Sequence, residues 1–194
     1  IIFKSYPRFA AELIRYNPSV PAMTVWLKQY IVMDGFKVEG ALGCNDGDYC
    51  TIKNIELTNG SNLDLDTLNW GIFIHYSDNC LVENNYVHDI NTCPVCSWST
   101  NTAAIEMIVG SNNIFQHNVV DPGFAVICAF GQKGGDIYNV TWKYNVARNA
   151  ERCYQTQGET GGLANSVDSN YYQNIAYNCT FPFIINHNIT DTHI

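Results

Sequence analysis

Six positions, Gly35, Asn54, Asn84, His117, Tyr144 and Gln173, follow one another at spacings of 19, 30, 33, 27 and 29 residues and share their surroundings. Two residues before them stand Met33, Ile52, Val82, Phe115, Trp142 and Tyr171; three residues after them stand Val38, Leu57, Val87, Val120, Ala147 and Ala176. All twelve flanking residues are apolar or aromatic. One residue after the anchor come Phe36 and Ile55, then Asn85, Asn118, Asn145 and Asn174, on the same strand parity as the buried position two further on. This predicts a four-rung column of asparagines inside the fold. A repeat of this length is a supersecondary unit that buries its inner face only against its neighbours, so it constrains the chain to wind into stacked coils.

A second strand precedes most anchors: 70–76, 103–109 and 124–130 are β-branched and aromatic runs bounded by Gly, Asn, Asp and Ser. No helix-length amphipathic pattern separates them, and only Phe9 to Tyr16 hints at a helical turn. The expected fold is all-β, a right-handed, single-stranded parallel β-helix of about six rungs. Asparagine suits such a fold because it tolerates left-handed backbone at corners and its amide pairs with the amide one rung away. The competing antiparallel sandwich requires hairpin turns every 8 to 12 residues, and like positions would not align. The 194 residues support one domain. We expect an opening strand and an irregular cap or insertion over 1–29, and stacked rungs over 30–188. Ile1-Ile2-Phe3-Lys4 reads as a strand already under way, as in a piece of a longer chain.

Charge narrows the partners. Ten Lys and Arg against 18 Asp and Glu give a net charge of −8 with no basic run, so no footprint for a nucleic-acid backbone is present. No apolar stretch approaches the ~18 residues of a membrane-spanning helix. Eight Cys accompany four Asn-x-Ser/Thr acceptors at Asn59, Asn139, Asn178 and Asn188, which together point to an oxidising, secreted or extracellular location and to glycosylation. Cys93 and Cys96 read as a loop disulfide rather than half of a zinc ribbon, since no second pair follows. Cys44 and Cys50 read as a small pinned turn. Ca²⁺ is the one cofactor considered, at Asp46 and Asp48 or at Asp64 and Asp66, although two carboxylates do not complete a cage.

The segments 32–40, 51–57 and 82–89, with Ile1 to Pro7, resemble the pectin-lyase-like superfamily of parallel β-helices. That resemblance covers the chain from about residue 30 to 188. It implies a secreted protein that acts on acidic polysaccharides, as the superfamily's lyases, hydrolases and epimerases do, or a non-catalytic surface or fibre protein. The hydrolase signatures Asn-Thr-Asp, Asp-Asp and Gly-His-Gly do not occur, nor do the pectate-lyase Arg-x-Pro-x-x-Arg or the pectin-methylesterase motifs. An epimerase-like Asp-Pro-His is approached only by Asp121-Pro122-Gly123.

Stacking instead supplies candidate sites. Four residues after the anchors, on the outward parity, stand Glu39, Thr58, His88, Asp121, Arg148 and Tyr177. His88, Asp121, Arg148 and Tyr177 form the candidate catalytic set: a guanidinium neutralises a uronate carboxylate, Tyr or His exchanges the adjacent proton, and Asp121 orients either. The same column is equally a solvated ladder of alternating charges. On the first strand, Phe73, Glu106, Ile127 and Tyr154 are expected to stack outward near His75 and Arg152, as a carbohydrate-binding platform or as a row covered by a neighbouring loop or subunit. Two functions follow. The preferred one is an extracellular β-helix glycoprotein module with a structural or carbohydrate-interacting, non-catalytic role, in contact with a glycan, copies of itself or other chains. The alternative is a lyase or C5-epimerase of a uronate polysaccharide. The sequons at Asn59 and Asn178 beside the candidate column favour the first.

Overall fold

The computed structural model describes residues 1–14, 21–58, 70–90, 103–123, 128–157, 167–186 and 192–193. Within them the backbone winds through three faces, each a stack of parallel strands. The first face carries Ile2–Lys4, Val32–Asp34, Thr51–Lys53, Leu81–Glu83 and Ile114–Gln116, continued by 141–143 and 170–172. The second carries Glu12–Ile14, Lys37–Glu39, Glu56–Thr58, Tyr86–His88 and Val119–Asp121, continued by 146–148 and 175–177. The third carries Met23–Trp26, Leu42–Asn45 and Trp70–His75, continued by 103–108, 128–133, 152–157 and 181–186. Every pairing is parallel, and the first two faces keep the register of the expected repeat at the anchor-flanking positions, so the fold is a parallel β-solenoid.

The six repeat anchors are its first corner. Asn54, Asn84, His117, Tyr144 and Gln173 all have φ of 54–56°, and Gly35 has 84°. A left-handed residue turns the chain from the first face to the second without interrupting the ladder. Asn and Gly enter this region at little steric penalty. Three further corners obey the same rule, with Asp89, Asn149 and Asn178; Leu27, Asp46, Tyr76 and Val109; and Tyr30, Tyr49, Asn79, Asn112 and Asn139.

Inside, Met33, Ile52, Val82, Phe115 and Trp142 form one buried file, and Val38, Leu57, Val87, Val120 and Ala147 another. Each such side chain contributes roughly 1.5–3 kcal/mol through removal from water. Phe115 stacks on Trp142 with ring centroids 3.9 Å apart, and Trp142 Nε1 donates to the buried Gln132 Oε1 at 2.9 Å. Ala176, at the same position in the last coil, is exposed because no further coil covers it among the described residues. The asparagine column is present. The Nδ2 atoms of Asn85, Asn118 and Asn145 donate to Oδ1 of the next asparagine at 3.0, 3.0 and 3.1 Å, and each also donates to a backbone carbonyl.

Two expectations for the first 29 residues change. Ile2–Lys4, Glu12–Ile14 and Met23–Trp26 pair with the following coil on all three faces, so winding begins there rather than after a cap or insertion. The helical turn at Phe9 to Tyr16 does not form over its described part: Phe9 has φ of 65°, and 12–14 is a strand. Among the described residues there is no helix long and apolar enough to cross a membrane.

Candidate functional site

The second face assembles the outward column as expected. His88 pairs with Asp121 and Arg148 with Tyr177, while Arg148 Nε donates to Asp121 Oδ2 at 2.7 Å. Asn149 Nδ2 donates to the other Asp121 oxygen at 2.8 Å. Asp121 raises the Arg148 guanidinium further above its already high value, with Tyr86 as a smaller contributor, so Arg148 is a permanent cation. His88 stacks on Tyr86 at 4.2 Å, bonds through Nδ1 to Asp89 Oδ2 at 2.7 Å and places Nε2 3.6 Å from Glu56 Oε1. The Arg148 side chain is 42% exposed and Tyr177 is 68% exposed, so solvent screens this column. The sequons at Asn139 and Asn178 lie on exposed left-handed corners, where their Nδ2 atoms donate to Asn112 and Asn149; Asn59 and Asn188 lie outside the described residues.

The third face differs from its expectation. Phe73, His75 and Glu106 do point away from the core, yet they are buried, Glu106 completely, and so form no exposed platform. Tyr154 is a correction of another kind. In the ladder Phe73 pairs with Glu106, Glu106 with Gly131, and Gly131 with Gln155, whereas Tyr154 pairs with Phe130 in the interior. It stacks on Phe130 at 5.0 Å, and its hydroxyl lies 3.0 and 3.1 Å from the Asn145 and Ile175 carbonyls. Unequal numbers of residues separate the second face from the third in successive coils, and a register slip of one residue sends a side chain to the opposite face. Ile127 lies outside the described residues.

What the third face brings together instead is a desolvated charge cluster. Glu106 Oε2 accepts from Lys133 Nζ at 2.9 Å, and Glu106 Oε1 lies 3.4 Å from His75 Nε2. Glu106 reaches both because its file neighbour above is Gly131, and His75 and Lys133 occupy the adjacent file. A Cβ on Gly131 would stand 2.7 Å from Ala103 Cβ, which is why only glycine fits. At the margin, Arg152 Nη1 donates to Gln155 Oε1 at 3.3 Å, and Gln155 Nε2 donates to Gln157. The Arg152 side chain is 20% exposed against 7% for Lys133, so Arg152 is the edge of the cluster that meets solvent. The Cys128 thiol beside them is pushed up to about 12, chiefly by burial, and is inert as a nucleophile.

Lys133 was hidden in the sequence. It sits in Gly131-Gln132-Lys133-Gly134-Gly135, where the ladder holds through Lys133 and the chain turns only at Gly134, with φ of 96°. The glycine-rich run masks the strand that ends there.

The carboxylates considered for Ca²⁺ act as turn clamps. Asp46 Oδ2 accepts from Trp26 Nε1 and Asn45 Nδ2, and Asp48 accepts from Asp78 N and Gln29 Nε2. Among the described residues no group of three or more His, Cys, Asp or Glu is arranged to hold a metal ion. Asp64 and Asp66 lie outside them, as do Cys93 and Cys96. Cys44 and Cys50 are buried thiols rather than a bonded pair; the disulfide observed joins Cys153 to Cys179 in adjacent coils.

No protein-family model matches the chain, and no curated protein matches it by sequence. Among solved structures, the chain is similar to an alginate lyase from Paenibacillus sp. str. FPU-7, with a TM-score of 0.53 and 12% identity over 98% of this chain and 83% of that one. At that identity the likeness establishes the shared fold.

Proposed function

We propose that this chain is an extracellular β-solenoid of the pectin-lyase-like kind that acts on a uronate-containing polysaccharide at the third face. The observation that carries this reading is the buried Glu106, held by Lys133 on one side and His75 on the other, with the partly buried Arg152 at the margin, 3.7 Å from Glu151 Oε1. Burying such charges is expensive and adds little stability beyond what apolar residues would give, which favours a chemical role. The similarity to an alginate lyase supports the same substrate class.

The chemistry assigns each group a task. Arg152 and Lys133 present charge-assisted donors to the substrate carboxylate, which acidifies the hydrogen on the adjacent carbon. His75 takes that proton, and Glu106 positions both His75 and Lys133. In β-elimination the C5–H electron pair becomes the C4=C5 double bond while the C4–O bond breaks and the departing oxygen takes the proton from the His75 imidazolium. In C5 epimerisation His75 keeps that proton and a water molecule delivers another to the opposite side of C5.

A second reading places the chemistry on the second face, at His88, Asp121, Arg148 and Tyr177, favoured by the orientation of Arg148 by Asp121. One experiment separates them. The chain is incubated with alginate, pectate and chondroitin while unsaturated-product absorbance is followed, and C5 deuterium uptake is followed by NMR in heavy water. His75→Ala and Arg152→Ala are compared with Arg148→Ala and Tyr177→Phe, all checked for fold by circular dichroism. Loss of at least ~100-fold in the first pair alone supports the third face. Loss only in the second pair moves the site. No product and no exchange on any polyuronate leaves the non-catalytic glycoprotein module, for which exposed Asn139 and Asn178 are the favouring feature.

A further inference from the structure

Cys50 and Cys80 occupy the same height in successive coils. They immediately precede Thr51 and Leu81, which pair in parallel register, and Leu81 N donates to the Cys50 carbonyl at 2.8 Å. Both side chains are buried. Both Sγ atoms converge on one acceptor, the Gly47 carbonyl, at 3.2 and 3.5 Å. Cys44 is the third buried thiol of this group and also touches Cys50, but it belongs to the third face, where it pairs with Val25 and Ile74. The corner from 46 to 49, with left-handed Asp46 and Tyr49, separates it from Cys50 along the chain.

Stacked residues of one parallel file stand about 4.8 Å apart. That falls within the ~4.4–6.8 Å Cα separation a disulfide accepts. The chain already carries one disulfide of this kind, since Cys153 and Cys179 link adjacent coils.

We infer that Cys50 and Cys80 are the site of a second inter-coil disulfide, with Cys44 remaining a thiol beside it. The oxidant is a protein disulfide of the thiol–disulfide oxidoreductase class. A thiolate from Cys50 attacks that disulfide to give a mixed disulfide and one free oxidant thiol. Cys80 then displaces the second oxidant sulfur, forming the Cys50–Cys80 bond. Two electrons and both thiol hydrogens end on the oxidant, which leaves as a dithiol. Hydrogen bonding with a neighbouring sulfur, Cys44 for Cys50 and Cys50 for Cys80, and then burial raise both thiols, so thiolate forms most readily before the coils close, and the bond is made during winding.

Peptide mapping of the full chain, recovered from a secretory host and alkylated under denaturing, non-reducing conditions, decides the matter. Trypsin cuts after Lys53 and an aspartate-directed protease cuts at Asp46 and Asp48, so the three cysteines fall on separate peptides. The expected result is a linked Cys50–Cys80 peptide that reductant resolves, with Cys44 alkylated alone. A linked Cys44–Cys50 peptide, or alkylation of both Cys50 and Cys80, overturns the inference. Cys44→Ser provides the second arm: it retains the linked peptide if Cys80 is the partner and loses it if Cys44 is. Because the parent chain is mapped directly, the outcome does not depend on a cysteine variant folding, nor on the proposed polysaccharide activity.

Discussion

Asn118 Oδ1 accepts two hydrogen bonds from Asn85, one from its backbone N–H at 3.1 Å and one from its side-chain Nδ2 at 3.0 Å. The Asn118 amide in turn donates to Asn145 Oδ1 and to the Val82 carbonyl, both at 3.0 Å. One side chain thus satisfies two donors and two acceptors where no water reaches. Replacing Asn118 with Ala should remove about 3–4 kcal/mol, because each buried polar group left unpaired costs about 1–3 kcal/mol. Urea denaturation checks this as a lower midpoint with unchanged slope. Asn174→Ala, at the partly buried end of the column, should lose less than half as much. Equal losses would mean that the ladder is not a chain of mutually dependent bonds.

The corners predict a different response. Asn84 is left-handed with φ of 55°. A β-branched residue there meets the carbonyl clash that costs roughly 1–2 kcal/mol, whereas glycine meets none. Asn84→Val should therefore lower the unfolding midpoint and Asn84→Gly should leave it within about 0.5 kcal/mol of the parent. A Val variant as stable as the Gly variant would contradict the corner geometry.

The asparagine ladder was legible in the sequence because four successive coils supply the same amide at the same place. The corner was legible only through the repeat spacing, since Gly35, Asn54 and Asn84 suit left-handed backbone whereas His117, Tyr144 and Gln173 hold the same conformation without that preference. The His88–Asp121 and Arg148–Tyr177 pairings followed directly from the same anchors. The third face carried no such marker. The number of residues between the second and third faces changes from coil to coil, so spacing assigns Tyr154 to the outer file although Gln155 occupies it, and the identity of Gly131 conceals that Lys133 reaches back to Glu106. Desolvation was invisible for a simpler reason: outward parity says which way a side chain points, not what covers it.

The Lys133–Glu106 pair is open to a thermodynamic cycle. Lys133→Met leaves a fully buried carboxylate without its lysine and with His75 alone beside it, which should cost about 3–5 kcal/mol. Glu106→Gln in the Lys133→Met background should recover more than half of that, because the amide carries no charge that needs the missing cation. The same cycle at Arg148 and Asp121, whose pair is partly solvent-exposed, should give a coupling of no more than about 1 kcal/mol. Comparable couplings on both faces would remove the distinction between a buried cluster and a surface ladder.

Alkaline stability tests the interior placement of Tyr154. Burial raises both Tyr154 and Tyr171 above the usual ~10 of a phenol. A group whose folded value is raised stabilises the protein fully below its unfolded value, and that stability is lost as pH rises through the folded value. Above pH ~10 the unfolded chain releases these protons while the folded chain keeps them, so each tyrosine should lower stability by about 1.4 kcal/mol per pH unit. The buried Cys128 thiol adds a loss of the same sign from a lower onset, so the tyrosine contribution is best isolated by difference. Unfolding midpoints measured from pH 7 to 12 for the parent and for Tyr154→Phe should diverge at neutral pH by about 1–2 kcal/mol, since two carbonyls lose their hydroxyl partner. They should then converge above pH 10 as the parent alone bears the cost of the Tyr154 proton. Parallel curves across that range would return Tyr154 to the protein surface, and with it the sugar-stacking role that the interior ladder denies it.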